Sequence, residues 1–292
     1  MPTSHIESLR AMLREDKGVI LPGAPNALAA RIIADLGFRA VYLTGAGLTN
    51  MQLGLPDLGF MDLGLVTDHV MAIRSVIDLP LVVDIDTGFG NAVNVTHAVR
   101  ILEQAGASAV QIEDQHSPKR CGHFEGKELV PPEEMVAKVR AAVEARRQDM
   151  VVIARTDACA VEGFEAAIER AGRYIEAGAD VTFVEAPERF DDLKAVPRRL
   201  KAPQLVNMVL GGKTPIIDAK AAADMGFSLV LYANAALQGA VHGMQTALST
   251  LKERGVLDEA AVTSFAERQR LVGKPEFDRM EMRYAARAPD RD

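Results

Sequence analysis

Eight short apolar runs punctuate the chain: Val19–Leu21, Ala40–Leu43, Leu79–Val83, Ala109–Ile112, Val151–Ile153, Val181–Val184, Gln204–Val206 and Phe227–Leu231. Their hydrophobicity is continuous rather than alternating, which is the pattern of parallel strands buried on both faces. Patterns with apolar residues three and four apart fill the intervals, as in Ala27–Leu36, Val93–Gln104, Glu133–Arg146 and Phe164–Glu176. Gly37, Gly106, Gly178 and Gly226 each stand just ahead of the next run, where a left-handed residue closes a helix. A closed barrel accounts for so many repeated strand–helix units better than an open sheet does. The expected fold is therefore α/β, a (β/α)8 TIM barrel. A barrel needs roughly 250 residues, and the chain has 292. It is read as a single barrel domain over 1–292, with a C-terminal helical extension from about residue 235. Helical patterns recur there around Ala235–Arg254 and Glu259–Leu271. Surface decoration and an arm packed on a neighbouring subunit fit that extension equally well.

Composition narrows the partners. No apolar run approaches the roughly 18 residues that a membrane span needs, and the formal net charge of −7 comes without a long basic run. Neither a membrane nor a nucleic acid is expected, so a small-molecule ligand is. The segment Met1–Arg14 mixes acidic and basic residues without an apolar centre, which gives a cytoplasmic location by default. The two cysteines, Cys121 and Cys159, are then expected as reduced thiols.

In such barrels the chemistry gathers at the C-terminal ends of the strands. Those ends read Thr44-Gly45-Ala46-Gly47, Asp84-Ile85-Asp86, Glu113-Asp114, Arg155-Thr156-Asp157, Glu185 and Asn207. Asp84 and Asp86 are two apart, so on a strand they share a face. With Glu113 nearby they repel unless a cation neutralises them. Oxygen ligands without a His or Cys cluster favour Mg²⁺, with Mn²⁺ as the alternative, while plain helix capping competes with both. The turn at Thr44 suits either an oxyanion or a tight bend. Arg155, deep at a strand end, calls for a carboxylate: Glu185, Glu113 or one on the substrate.

Two long connections, Ala46 to about Thr67 and Gln115 to about Pro131, read as lids or binding loops. The second contains Lys119-Arg120-Cys121-Gly122-His123, where cations and an imidazole flank a thiol. Such surroundings lower a thiol's pKa and poise it for proton transfer. Zinc would need four ligands, which the loop lacks. Cys159 reads as a small core or loop residue.

These motifs, with Gly54-Leu55-Pro56-Asp57 and Gly211-Gly212-Lys213-Thr214-Pro215, resemble the isocitrate lyase and phosphoenolpyruvate mutase superfamily over nearly the whole chain. Within it they resemble the short lyases acting on 2-methylisocitrate or 2,3-dimethylmalate. The resemblance implies a Mg²⁺ site at Asp84, Asp86 and Glu113, supported by Asp57. It implies that Tyr42, Thr44, Gly45 and Ala46 meet a pyruvate-like unit together with Arg155. Cys121 is implied as the acid on a closing loop with Gly122, alongside the catalytic residues His123, Arg155 and Glu113. Holding the remote carboxylate or shaping the loop is implied for His123, Glu185 and Asn207. A homotetramer with exchanged C-terminal helices is also implied. Two residues depart from the pattern: Phe124 stands where methylisocitrate lyases carry Arg, and Leu210 where many relatives carry an acid. Competing readings are an oxaloacetate hydrolase or decarboxylase, a phosphonate enzyme of the same superfamily, and a non-catalytic binding barrel.

Overall fold

A computed structural model describes residues 4–285. Its strands are β1 Val19–Ala24, β2 Val41–Leu43, β3 Leu81–Asp84, β4 Ala109–Glu113, β5 Val151–Thr156, β6 Val181–Val184, β7 Gln204–Asn207 and β8 Leu229–Tyr232. They form a closed barrel in sequence order, every neighbouring pair parallel, with β1 joined to β8. This is the expected (β/α)8 barrel, and each of the eight apolar runs lies on one strand. Every residue of β3, β4 and β5 is buried, as strands covered on both faces require. Alternate residues such as Tyr42, Val82, Ile153 and Phe183 fill the barrel interior, and Leu9, Met12 and Leu13 of the helix His5–Glu15 join that layer. Leu9 is fully buried, and one such side chain contributes about 1.5–3 kcal/mol. The intervening residues, Val83, Val110 and Val152 among them, pack outward against helices.

The closing glycines Gly37, Gly106, Gly178 and Gly226 all take positive φ, between 83° and 108°. Register does the positioning work of the fold, because Glu113 on β4 is the direct neighbour of Arg155 on β5.

The first long connection is more ordered than a lid reading implies. It holds a helical turn, Gly45–Leu48, a π turn, Thr49–Leu53, and from Leu63 the helix Leu63–Arg74, leaving residues 54–62 irregular. Glycine costs up to about 1 kcal/mol in a helix, so Thr44–Gly47 reads as loop in sequence. Capping by the Thr44 hydroxyl, which accepts from the Gly47 amide at 3.3 Å, starts the turn.

The chain divides into two compact units, residues 1–237 and 238–292. The second carries most of the helix Ala235–Arg254, then Phe265–Leu271 and Lys274–Tyr284. No helix among the described residues is long and apolar enough to cross a membrane.

Candidate active site

A cavity of about 410 Å³ opens at the C-terminal ends of the strands. Tyr42, Thr44, Ala46, Asp57 and Asp84 line it, together with Cys121, Gly122, His123, Arg155, Glu185 and Asn207. Gly45, Asp86 and Glu113 are not on its wall but behind it. Gly45 has no room for a side chain, since a Cβ there would lie 3.0 Å from Asp84 and 3.3 Å from Asp86. Its amide donates to Asp84 Oδ2 at 3.3 Å, so the oxyanion served by this N–H is the protein's own carboxylate.

Asp84 and Asp86 converge, though not by strand alternation. β3 ends at Asp84, and Asp86 takes a left-handed φ of 48° while its amide donates to Asp84 Oδ1 at 3.1 Å. Lys119 reaches into this group, 2.5 Å from Asp57 and 3.1 Å from Asp86. The sequence gives no sign of that ion pair, whose partners are 62 residues apart.

Arg155 is held chiefly by a residue that sequence reasoning passed over. Its Nε and Nη2 donate to the two oxygens of Asp157 at 2.9 and 3.0 Å, a two-pronged grip. Glu113 lies 3.3 Å away and Glu185 3.9 Å, and the guanidinium stacks over Phe183 at 5.2 Å. Asp157 is itself fixed from behind. Its amide donates to Asp114, which also accepts from the Thr156 and Tyr174 hydroxyls and lies 3.5 Å from Arg170. His123 Nε2 lies 2.9 Å from Glu185, the Lys213 amide donates to His123 Nδ1, and Asn207 donates to Glu185 at 3.5 Å. Asn50 and Asn234 are further lining residues that the sequence did not single out, and Lys119, read in sequence as a cation near the thiol, lines the cavity too.

Burial raises Asp84, raises Asp86 to about 7 and raises Glu113 well above the usual carboxylate range; Lys119 and Arg155 offset this only in part. Burial also raises Glu185, but Arg155, His123 and Lys127 outweigh it and hold that group low. The cysteine expectation needs correction. Cys121 is raised, not lowered, because the loop is folded down and desolvation exceeds the pull of the His123 amide and Arg155. Cys159, on the short helix Ala158–Val161, is pushed up to about 12 by burial and by Asp192.

Whether these residues suit a cation follows from their unmet needs. Glu113 Oε1 is buried without a hydrogen bond among the described residues, and Glu113 Oε2 and Asp86 Oδ1, also buried, have only the ion pairs with Arg155 at 3.3 Å and Lys119 at 3.1 Å. Among the described residues, Asp57, Asp84, Asp86, Glu113, Asp157 and Glu185 face only Lys119, Lys127 and Arg155 as fixed cations. The excess negative charge and all-oxygen donors fit a hard divalent ion. No three acidic, His or Cys side chains among the described residues converge on one point as a ready ligand set. A Mg²⁺ that keeps several waters does not require one.

Fold and site together define a (β/α)8 barrel with a cavity beside a buried carboxylate cluster. A family model, phosphoenolpyruvate phosphomutase, matches residues 9–252, and the chain belongs to that family. It is 40% identical to a 2-methylisocitrate lyase of Aeropyrum pernix, covering 97% of this chain and 92% of that one. It is 39% identical to a 2,3-dimethylmalate lyase of Eubacterium barkeri, covering 95% and 97%. Among solved structures, oxaloacetate acetylhydrolase in complex with 3,3-difluorooxalacetate superposes with a TM-score of 0.93 at 32% identity, covering 99% of both chains. Phosphonopyruvate hydrolase in complex with oxalate and Mg²⁺ superposes at 0.86 with 32% identity, covering 97% and 100%.

Proposed function

We propose that the chain is a Mg²⁺-dependent carbon–carbon lyase. Its substrate is a small 2-hydroxy di- or tricarboxylate of the 2,3-dimethylmalate or 2-methylisocitrate type, cleaved to a 2-oxo acid such as pyruvate plus a carboxylate. The observation that carries this reading is the Cys121 thiol, held in its acid form on the wall of a cavity shared with Arg155 and Asp84. Asp84, Asp86 and Glu113, with Asp57 in support, would hold the metal, directly or through water. Bound there, it supplies Lewis-acid stabilisation of oxygen charge on a 2-oxo acid.

The residues divide the remaining work. Tyr42, Thr44, Ala46 and Arg155 orient the 2-hydroxy acid end. His123 and Asn207 meet the remote carboxylate, and Glu185, held ionised, orients both of them. When the substrate hydroxyl has released its proton to solvent, the adjacent C–C bond breaks and its electron pair passes to the carbon beside a carboxylate. The Cys121 S–H protonates that carbon, and the thiolate regains a proton from solvent. The folded loop excludes water while the carbanion persists.

A screen of 2-methylisocitrate, 2,3-dimethylmalate, isocitrate, oxaloacetate and phosphonopyruvate tests the reading. Release of a 2-oxo acid from a hydroxy-acid substrate is expected. Turnover of phosphonopyruvate alone would overturn it. Hydrolysis of oxaloacetate is the second reading, favoured by the close superposition on oxaloacetate acetylhydrolase; oxalate release alone would establish it.

We further propose that the active form is a cytoplasmic homotetramer using the C-terminal helices. Val241, Met244, Leu248 and Leu251 repeat at intervals of three and four on the helix Ala235–Arg254, and all are exposed. Such a seam is the pattern of a helix that packs on another.

A further inference from the structure

We propose that Lys127 is the clasp that seats the Cys121–His123 loop, making it a positioning residue for the acid. Lys127 lies on the returning limb of the connection between β4 and the helix Pro132–Ala145, outside any helix or strand. It is only 7% exposed, and lysine is almost never buried without partners. Its ammonium donates to the Gly122 carbonyl and lies 3.6 Å from Asp157. Asp157 is the carboxylate that grips Arg155, and the Arg155 fork occupies both its oxygens. One cation therefore ties the loop backbone, between the thiol and the imidazole, to the rigid end of β5.

The rest of the loop's seating is consistent with a clasp at this point. A Cβ on Gly122 would fall 2.3 Å from Arg155 Nη2 and 2.7 Å from Glu185, so the backbone there lies directly on those side chains. The Gln115 side chain brackets Arg120 through both its backbone groups, and Gln115 pairs with Leu129 at the base of the connection. Those contacts hold the stem of the loop. Among the described residues, the tip at Gly122 is held by Lys127 and by the contacts of His123 with Glu185 and the Lys213 amide. The Lys127–Gly122 bond is made only where the tip is down. It is therefore selective for the arrangement that brings Cys121 to the cavity.

The kinetic part of this inference rests on the lyase reading; the thiol part does not. Lys127→Met keeps the stem and removes the charge, while Lys127→Arg keeps a cation. Iodoacetamide labelling, followed by mass spectrometry at both cysteines, reads the loop directly, and Cys159 serves as an internal control for general loosening. Loss of a cation disfavours the thiolate and by itself would slow labelling, so acceleration isolates exposure. In Lys127→Met, Cys121 is expected to label about tenfold faster or more, a factor equivalent to about 1.4 kcal/mol of lost closure. Cys159 is expected to label at the wild-type rate, and Lys127→Arg to return most of the protection. With a cleaved substrate, kcat/KM should fall roughly 100-fold, the scale of a misplacement near 1 Å, with kcat taking most of the loss. An unchanged Cys121 rate overturns the proposal. Parallel acceleration of both thiols overturns it as well, because Lys127 would then be a general stabiliser. If nothing in the substrate screen is turned over, the lyase reading fails, and the ratio of the two labelling rates still decides on the clasp.

Discussion

Cys121 keeps its proton at neutral pH because burial, aided by Asp57 and Glu185, outweighs the His123 amide and Arg155. A raised pKa means that the acid form persists to higher pH. The kcat/KM profile should therefore show no loss from Cys121 ionisation until above the ordinary thiol value of about 8.5. A basic limb below pH 8 that disappears in Cys121→Ala would contradict this. The same substitution should cost at least about 100-fold in kcat, whereas Cys159→Ala should leave steady-state kinetics nearly unchanged. Gly122→Ala tests the seat of the loop, since its Cβ would strike Arg155 and Glu185. Activity should fall by about 100-fold, with a thermal midpoint close to wild type because the residue lies outside every strand and helix. At this scale the sequence was legible for identity and poor for environment. The flanking cations around Cys121 were visible, but desolvation depends on where the loop folds. Asp157 stood in view beside Arg155, yet its two-pronged grip depends on how β5 ends.

The turn after β3 shows how an element can deliver residues by a route other than its own periodicity. Alternation along a strand expected Asp84 and Asp86 on one face; the strand stops at Asp84, and a left-handed Asp86 brings the carboxylates together instead. The eight strands themselves were readable because burial on both faces leaves an unbroken apolar run. The helical turns after β2 were not, because glycines hide a helix that is started by a cap. This cluster predicts a pH-dependent metal response. Asp86 is raised to about 7 in the metal-free protein, so its folded state binds protons more readily than the unfolded chain. Metal-free stability should accordingly fall as pH rises from about 4 to 7. Mg²⁺ competes with those protons, so its stabilisation, about 2.7 kcal/mol at a hundredfold excess over Kd, should be larger at pH 7.5 than at 5.5. Thermal unfolding with and without Mg²⁺ measures it, and Asp84→Ala should abolish the shift and the activity together. An equal shift in that variant would remove these carboxylates from the metal site.

For the whole molecule, the exposed seam on the helix Ala235–Arg254 predicts assembly. Leu248→Glu should lower the mass measured by light scattering from that of a tetramer, and an unchanged mass would separate the helix from assembly. The cavity predicts substrate size. Phe124 and Leu210, which the sequence reads as departures from the family pattern, both line it. An extra carboxylate against apolar walls costs several kcal/mol. An alkyl-substituted malate should therefore have a higher kcat/KM than 2-methylisocitrate, and Phe124→Arg should narrow the difference. A direct competition assay that favours 2-methylisocitrate would refute this. The two apolar residues are 48% and 63% exposed, whereas Asp157 and Asp114 are almost wholly buried. Asp114, with Tyr174 and Arg170 of the helix Phe164–Glu176, braces Asp157, and Asp157 holds Arg155. Exchanging the outer pair leaves that brace untouched, so the rim of the cavity and the anchoring of Arg155 can be altered independently of each other.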